Sequence, residues 1–287
     1  MTEEAILFIE IFQPFALYRN PFTFYYAQSF PLPPKSAIIG MLQNACNDWY
    51  GHIQGIETWW ELKIAIFGGF ESSFWNYQHS IRGEVYIDKE RNMLVNKQAS
   101  KNKPIPLYGY GQTAQRTPIY VQELFNGHLF IFIKAGKKGK REQLMLIKEI
   151  AESLEKTKKV LSLGRGEDIA YIRSVNFVES VEKEIIEGDI KLHYPTFITR
   201  TNFPIKNLKF PVFFVPTKVI FENNGQPVES KKQITKETYR RAEFKEVIYI
   251  SPDHSLILQS PIEVEFCDIN LDKKLETFPI VNDFGWL

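Results

Sequence analysis

The chain has 287 residues, 35 Lys and Arg against 34 Asp and Glu, with 44% hydrophobic and 24% charged residues, a composition that excludes long disorder and supplies enough chain for one large core or two packed ones. A formal net charge of +1 gives no global field towards nucleic acid or anionic lipid, so a polyanionic partner has to be held by a local patch. Two widely spaced cysteines, Cys46 and Cys267, exclude a disulfide framework and a paired-cysteine zinc knuckle and fit a reducing compartment. The opening MTEEAILFIEIF is acidic where a signal peptide is basic, and no apolar run approaches the roughly 18 residues of a membrane span. The expectation is a soluble cytoplasmic protein with no membrane partner.

Residues 5–12, AILFIEIF, read as a first buried strand. An aromatic stretch broken by Pro14 and Pro21 leads to Pro31, Pro33 and Pro34, and then KSAIIGMLQNACNDW predicts a helix to about Trp49, since proline is tolerated at a helix start. Residues 62–67, LKIAIF, are a second strand. From Ser72 to about Gln122 an insertion offers hairpin-like runs, SIRGEVYI and TPIYVQEL, around a polar middle suited to a mobile loop. HLFIFIK at 128–134 is a third strand, and 141–158 carries Leu144, Ile147, Ile150, Ala151 and Leu154 at helical spacing. A last strand near 170–178 completes the order strand, helix, strand, insertion, strand, helix, strand, an α+β pattern of the ferredoxin-like, RNA-recognition-like type. A charge-rich passage at 179–191 then leads into proline-punctuated β-type runs. The expected organisation is a unit over 1–190 with an insertion at about 72–122, and a small, mostly β unit over 191–287.

Between Leu94 and Arg141 stand nine basic residues, Lys97, Lys101, Lys103, Arg116, Lys134, Lys137, Lys138, Lys140 and Arg141, with Glu123 the only acid. Interleaved Tyr108, Tyr110 and Tyr120 could stack on unpaired bases while the cations neutralise phosphates; a solvated loop is the alternative. In LSLGRGE, Gly164 and Gly166 flank Arg165, a loop that lets backbone approach a phosphate beside a bidentate guanidinium, or a plain glycine turn. Lys35 and Ser36 at a helix start could hold a phosphate or cap the helix. The five histidines are scattered, without metal-ligand or nucleophile-elbow spacing, so no metal, cofactor or catalytic residue is expected. Metal-free RNA cleavage needs only a positioned base and a cation, which His79 or Tyr108 with a lysine could supply.

The opening strand, YRNP, FPLPPKSAIIGML, the basic insertion and LSLGRGEDI together resemble the fifth Cas protein family, RAMP-superfamily subunits of the CRISPR surveillance complex Cascade. The run Pro33, Pro34, Ser36, Ala37, Ile39, Gly40 is its most specific element, and the likeness is strongest over residues 1–180. It implies a ferredoxin-like palm, a β-hairpin thumb between the second and third core strands, and a C-terminal β domain. It also implies binding of the 5′ handle of the CRISPR RNA, capping of the backbone-subunit filament, contact with the large subunit and proximity to target DNA near the PAM. Together with the basic patch and the glycine loop, the expected RNA-binding residues are Arg19, Lys35, Ser36, Arg82, Lys97, Lys101, Lys103, Tyr108, Arg116, Gly164, Arg165 and Gly166, with Arg19, Lys35 and Arg165 expected to converge. One branch of the family cuts precursor RNA with Tyr, Lys and His; a non-cleaving binding subunit is the leading expectation and a metal-independent endoribonuclease the alternative.

Overall fold

A computed structural model describes residues 5–23, 26–81, 85–88, 93–96, 105–106, 116–136, 140–206, 209–228, 233–235, 237–252, 254–271 and 274–287. The expected strand, helix, strand series is present. It runs through β1 (Leu7–Ala16), a short β2 (Tyr26–Ala27), α1 (Lys35–Ala45), α2 (Ile56–Glu61) and β3 (Lys63–Ile81). Within the insertion lie β4 (Val85–Asp88), β5 (Met93–Asn96) and β6 (Ile105–Pro106), paired as a small antiparallel sheet. Then come β7 (Arg116–Lys134), α3 (Lys140–Lys156), β8 (Leu161–Ser162) and β9 (Ile169–Phe177).

The structure differs from the sequence expectation in how the insertion is attached. The second and third core strands do not stop at residues 67 and 128, where their apolar runs end; β3 and β7 are each 19 residues long and stay paired from Lys63 opposite Lys134 to Ile81 opposite Arg116. At about 3.3 Å per residue they reach roughly 60 Å. Their lower halves are core, because β1 pairs with β7 up to Leu124, whereas beyond that point only β2 joins them, at Tyr120 and Val121. The first helix also ends earlier than expected, at Ala45, and Trp49–Gly51 form a separate 3-10 turn.

The C-terminal strands are β10 (Ser180–Ile186), β11 (Asp189–Leu192), β12 (Thr196–Thr199), β13 (Val212–Asn223), β14 (Gln226–Pro227), β15 (Tyr239–Ile250), β16 (His254–Ile257), β17 (Ile262–Leu271) and β18 (Lys274–Val281). The mixed, strand-rich, antiparallel character of the chain is thus as expected. The boundary near residue 190 is nevertheless not a gap in packing. The main sheet runs β14, β13, β15, β12, β3, β7, β1, β9, β8, so strands from both halves share it. Thr196 pairs with Phe67 and its hydroxyl donates to the Ile66 carbonyl at 2.7 Å.

Both helices lie on one apolar layer of this sheet. α1 buries Ile38, Ile39, Met41, Leu42 and Ala45, and α3 buries Leu146, Ile147, Ile150, Ala151 and Leu154, in the same cluster as Leu7, Ile9, Ile64, Ile131, Phe197 and Val247. Burying a side chain of this size is worth about 1.5–3 kcal/mol, so the two halves stabilise each other through a common core. A second seam closes on Glu265, which accepts from Lys134 at 2.6 Å and from the Trp286 indole at 2.9 Å while nearly buried. Burial alone would raise the Glu265 carboxyl; the Lys134 and Trp286 contacts outweigh it and hold it below its ordinary value.

Candidate nucleic-acid interface

A cleft of about 710 Å³ opens where α1, the loop after β8 and the β13–β15 ribbon meet, within the roughly 300–1,000 Å³ of small-ligand sites. Arg19, Ser36, Gly164 and Arg165, singled out in the sequence, all line it. They are joined by residues the sequence reading missed: Lys159 beyond α3, Trp49 and Tyr50 in the 3-10 turn, and Phe221 and Arg240 from the ribbon. Among the described residues that line it there is no carboxylate, and four are cations.

One wall is built around Asp168. This carboxylate, 1% exposed, accepts from the backbone N–H groups of Leu17 at 3.0 Å and Arg165 at 2.8 Å, and from the Arg165 guanidinium at 2.8 Å. The other side of that guanidinium donates to Glu123 of β7 at 3.0 Å. Gly164 makes the fit possible: it sits at φ +111°, and a Cβ there would lie 2.8 Å from an Asp168 oxygen and 3.0 Å from the Leu17 carbonyl. Gln13 ties the loop down from β1, donating to the Leu163 carbonyl at 2.6 Å and accepting from the Tyr18 hydroxyl. Burial, then the Asp168 charge, push the Tyr18 hydroxyl well above its ordinary pKa. The expectation of a free bidentate Arg165 is corrected by this geometry. Its fork already grips two carboxylates, and it works as a clamp between the loop and β7.

The opposite wall depends on a turn pinned by a second buried acid. Asp48, fully buried, accepts from the backbone of Ile53 at 2.6 Å and Gln54 at 3.1 Å and from the Trp59 indole at 2.7 Å. The turn holds Tyr50 at φ 54° and ψ 33°, an uncommon left-handed position for a bulky residue. Its hydroxyl accepts from the Phe221 N–H at 3.0 Å and its ring meets Phe221 edge-on at 5.1 Å. Beneath the surface, the amide nitrogen of Gln43 and the indole nitrogen of Trp60 have no acceptor among the described residues.

Three cations of the cleft have no carboxylate partner in any described ion pair. Arg19 is exposed, held by a bridge to Ser29. Lys159 donates to the Asn44 carbonyl at 2.7 Å and to the Asn47 side chain, both neutral. Arg240 lies 5.1 Å over the Phe221 ring. An anion entering here meets uncompensated positive charge beside ring faces.

Lys35 is the clear departure from the expected convergence. It is 6% exposed and is not among the lining residues; its ammonium donates to the carbonyls of Trp60, itself a lining residue, at 2.8 Å and of Leu287 at 3.1 Å. Burial, then the charges of Lys245 and Lys63, lower its pKa to about 7. Ser36 does not cap α1 either, because Pro34 occupies the cap without a side-chain bond. Gly166 is an exposed turn residue outside the cleft. Arg82, Lys97, Lys101, Lys103, Tyr108 and Tyr110 lie outside the described residues, as do the side chains of His79 and Arg116. Among the described residues no three His, Cys, Asp or Glu are grouped as metal ligands, and no helix is long and apolar enough to cross a membrane. Cys46 and Cys267 are buried thiols, pushed by that burial to about 11 and about 12.

No curated protein matches the chain. Among solved structures it is similar to a chain of a CRISPR RNA-guided surveillance complex, with a TM-score of 0.46 and 14% identity over 88% of this chain and 91% of that one. It is also similar to a CRISPR protein from Archaeoglobus fulgidus, with a TM-score of 0.40 and 12% identity over 96% and 99%. A third is a chain of a type III-B Cmr-beta complex bound to cognate target RNA, with a TM-score of 0.33 and 11% identity over 88% and 86%. The model of one family, described as CRISPR-associated protein (Cas_Cas5), matches residues 6–246. With most of its length covered by that match, and with the proline-led α1 and the Gly-Arg loop inside it, the chain belongs to the Cas5 family of CRISPR-associated proteins.

Proposed function

We propose that this protein is a subunit of a CRISPR effector complex of the Cascade type that holds the 5′ handle of the guide RNA without cutting it. The observation that carries this reading is the carboxylate-free cleft, where Arg19, Lys159 and Arg240 stand unneutralised in a chain of net charge +1. Positive charge so confined favours a phosphate backbone over a general polyanion surface. In this reading β9, β1, β7 and β3 with α1 and α3 are a ferredoxin-like palm, and the outer halves of β3 and β7 are a thumb. The C-terminal strands complete the far wall of the cleft. A cytoplasmic ribonucleoprotein follows, with the backbone subunit and the large subunit as protein partners and target DNA nearby.

Binding without cleavage rests on the chemistry of the cleft. Transfer of the 2′-hydroxyl proton needs a base within hydrogen-bond reach, and among the described residues lining the cleft there is neither a His nor an acid. The test is incubation of the purified protein with labelled repeat RNA in EDTA. A shifted, intact RNA is the expected result. Specific EDTA-resistant cutting that disappears in His79→Ala or Tyr108→Phe would replace this reading with a ribonuclease.

A further inference from the structure

The stem of the long hairpin carries a second surface that the cleft does not use. In the β3–β7 ladder Trp75 is opposite Gln122 and Tyr77 opposite Tyr120, and β2 places Tyr26 beside Tyr120. Opposed residues of paired strands point to one face. These four rings therefore share a face of a three-stranded platform. They touch one another: Tyr26 stacks on Tyr120 at 5.7 Å and 21°, Tyr26 meets Trp75 edge-on at 6.1 Å, and Tyr77 meets Tyr120 at 5.2 Å. All are well exposed, from 44% for Tyr120 to 60% for Tyr26. On the other face, Ala27 and Val121, next to Tyr26 and Tyr120, are covered by Leu17.

Four solvent-facing aromatics on a short ribbon are costly to keep in water, and their chemistry narrows what covers them. Three are tyrosines and one is tryptophan, rings with a flat π face and a polar edge of the kind on which unpaired bases stack. The bridge from Ser29 puts the unpaired Arg19 beside β2, and Ser29 is tied to β7 through Gln122 at 3.2 Å. A ring platform beside positive charge fits unpaired nucleobases on a phosphate backbone.

The geometry points to a base-stacking platform for single-stranded RNA formed by Tyr26, Trp75, Tyr77 and Tyr120. Because every base has a π face, this contact is indifferent to sequence and adds affinity that salt does not screen. It deepens the proposed guide-RNA reading by assigning the bases of the strand to the hairpin stem, while the cleft holds phosphates.

The experiment compares two probes on the full chain, an unstructured ten-nucleotide RNA and an abasic oligomer of the same length, by fluorescence anisotropy across a salt series. The Tyr26→Leu/Tyr120→Leu variant is expected to bind the base-bearing RNA at least tenfold more weakly, to bind the abasic oligomer like wild type, and to keep the salt slope. Trp75→Leu, read with a far-UV spectrum to confirm folding, should repeat the pattern alone. Equal loss on both probes, or no loss on RNA, overturns the platform while leaving the guide-RNA reading in place. Failure of wild type to bind either probe overturns both.

Discussion

At the loop after β8 the charges are spent inside the protein, whereas on the hairpin stem the chemistry is left facing out. Arg165 has a side-chain exposure of 23% and three acidic partners, Glu123, Glu167 and Asp168, and the Asp168 it grips is almost fully buried. Tyr26, Trp75 and Tyr120 are each at least 44% exposed and touch mainly one another. The loop therefore owes its shape to a buried polar network, which is expensive to break, and the stem owes its shape to ladder hydrogen bonds that do not depend on those rings. The lesson is that Arg165, the residue with the strongest look of a ligand contact, is a clamp, and the uncompensated charge of the cleft sits at its less conspicuous neighbours Arg19, Lys159 and Arg240.

The comparison is most exposed at Asp168. Asp168→Ala leaves the Arg165 guanidinium and two backbone N–H groups without their acceptor and should lower stability by about 3–5 kcal/mol in a denaturant titration. A loss below about 1 kcal/mol would mean that the loop does not depend on the network. Gly164→Ala should cost about 1–3 kcal/mol, because it combines a left-handed backbone with a contact to Asp168 that cannot relax cheaply; a neutral result would place the strain elsewhere.

A pH test distinguishes the buried Lys35 from the exposed cleft cations. With a folded pKa of about 7 against an ordinary value near 10.4, the unfolded chain binds more protons than the native state between these values. Lys35 therefore makes stability rise with pH across that window, by at most about 1.4 kcal/mol per unit. Between pH 7 and 8.5 wild type should gain stability relative to Lys35→Met, measured by denaturant midpoints at each pH. Parallel curves would show that the ammonium is not buried as described. The smallest effect is expected on the platform, where Tyr26→Leu/Tyr120→Leu should change stability by less than about 1 kcal/mol, far below the Asp168 effect.

Much of the helix-and-strand core was legible from local signals. The Ile/Phe runs of β1 and β7 and the 3.6-residue stripe of α3 report burial directly, because each pattern is set by the element's own geometry. The prolines before α1 likewise marked its start. What was not legible is non-local. Lys35 is held by a carbonyl 252 residues away, and no spacing within the helix betrays that. The pairing of β12 with β3 joins the two halves across the charge-rich passage that suggested a boundary. Arg240 and Phe221 reach the cleft only through the β13–β15 ribbon. One miss did have a local signal: Glu167 and Asp168 follow Arg165 within three residues, close enough to neutralise it.

The central claim, that uncompensated cations of the cleft hold RNA phosphates, is tested most directly by the salt dependence of RNA binding in Arg19→Gln/Arg240→Gln. Both residues are surface cations without described acid partners, so the fold should survive. Each single-strand phosphate contact contributes about 0.7 to the slope of log K against log salt, and the account predicts that the double variant binds repeat-derived RNA more weakly with a slope shallower by roughly 1.4. An unchanged slope and affinity would contradict it.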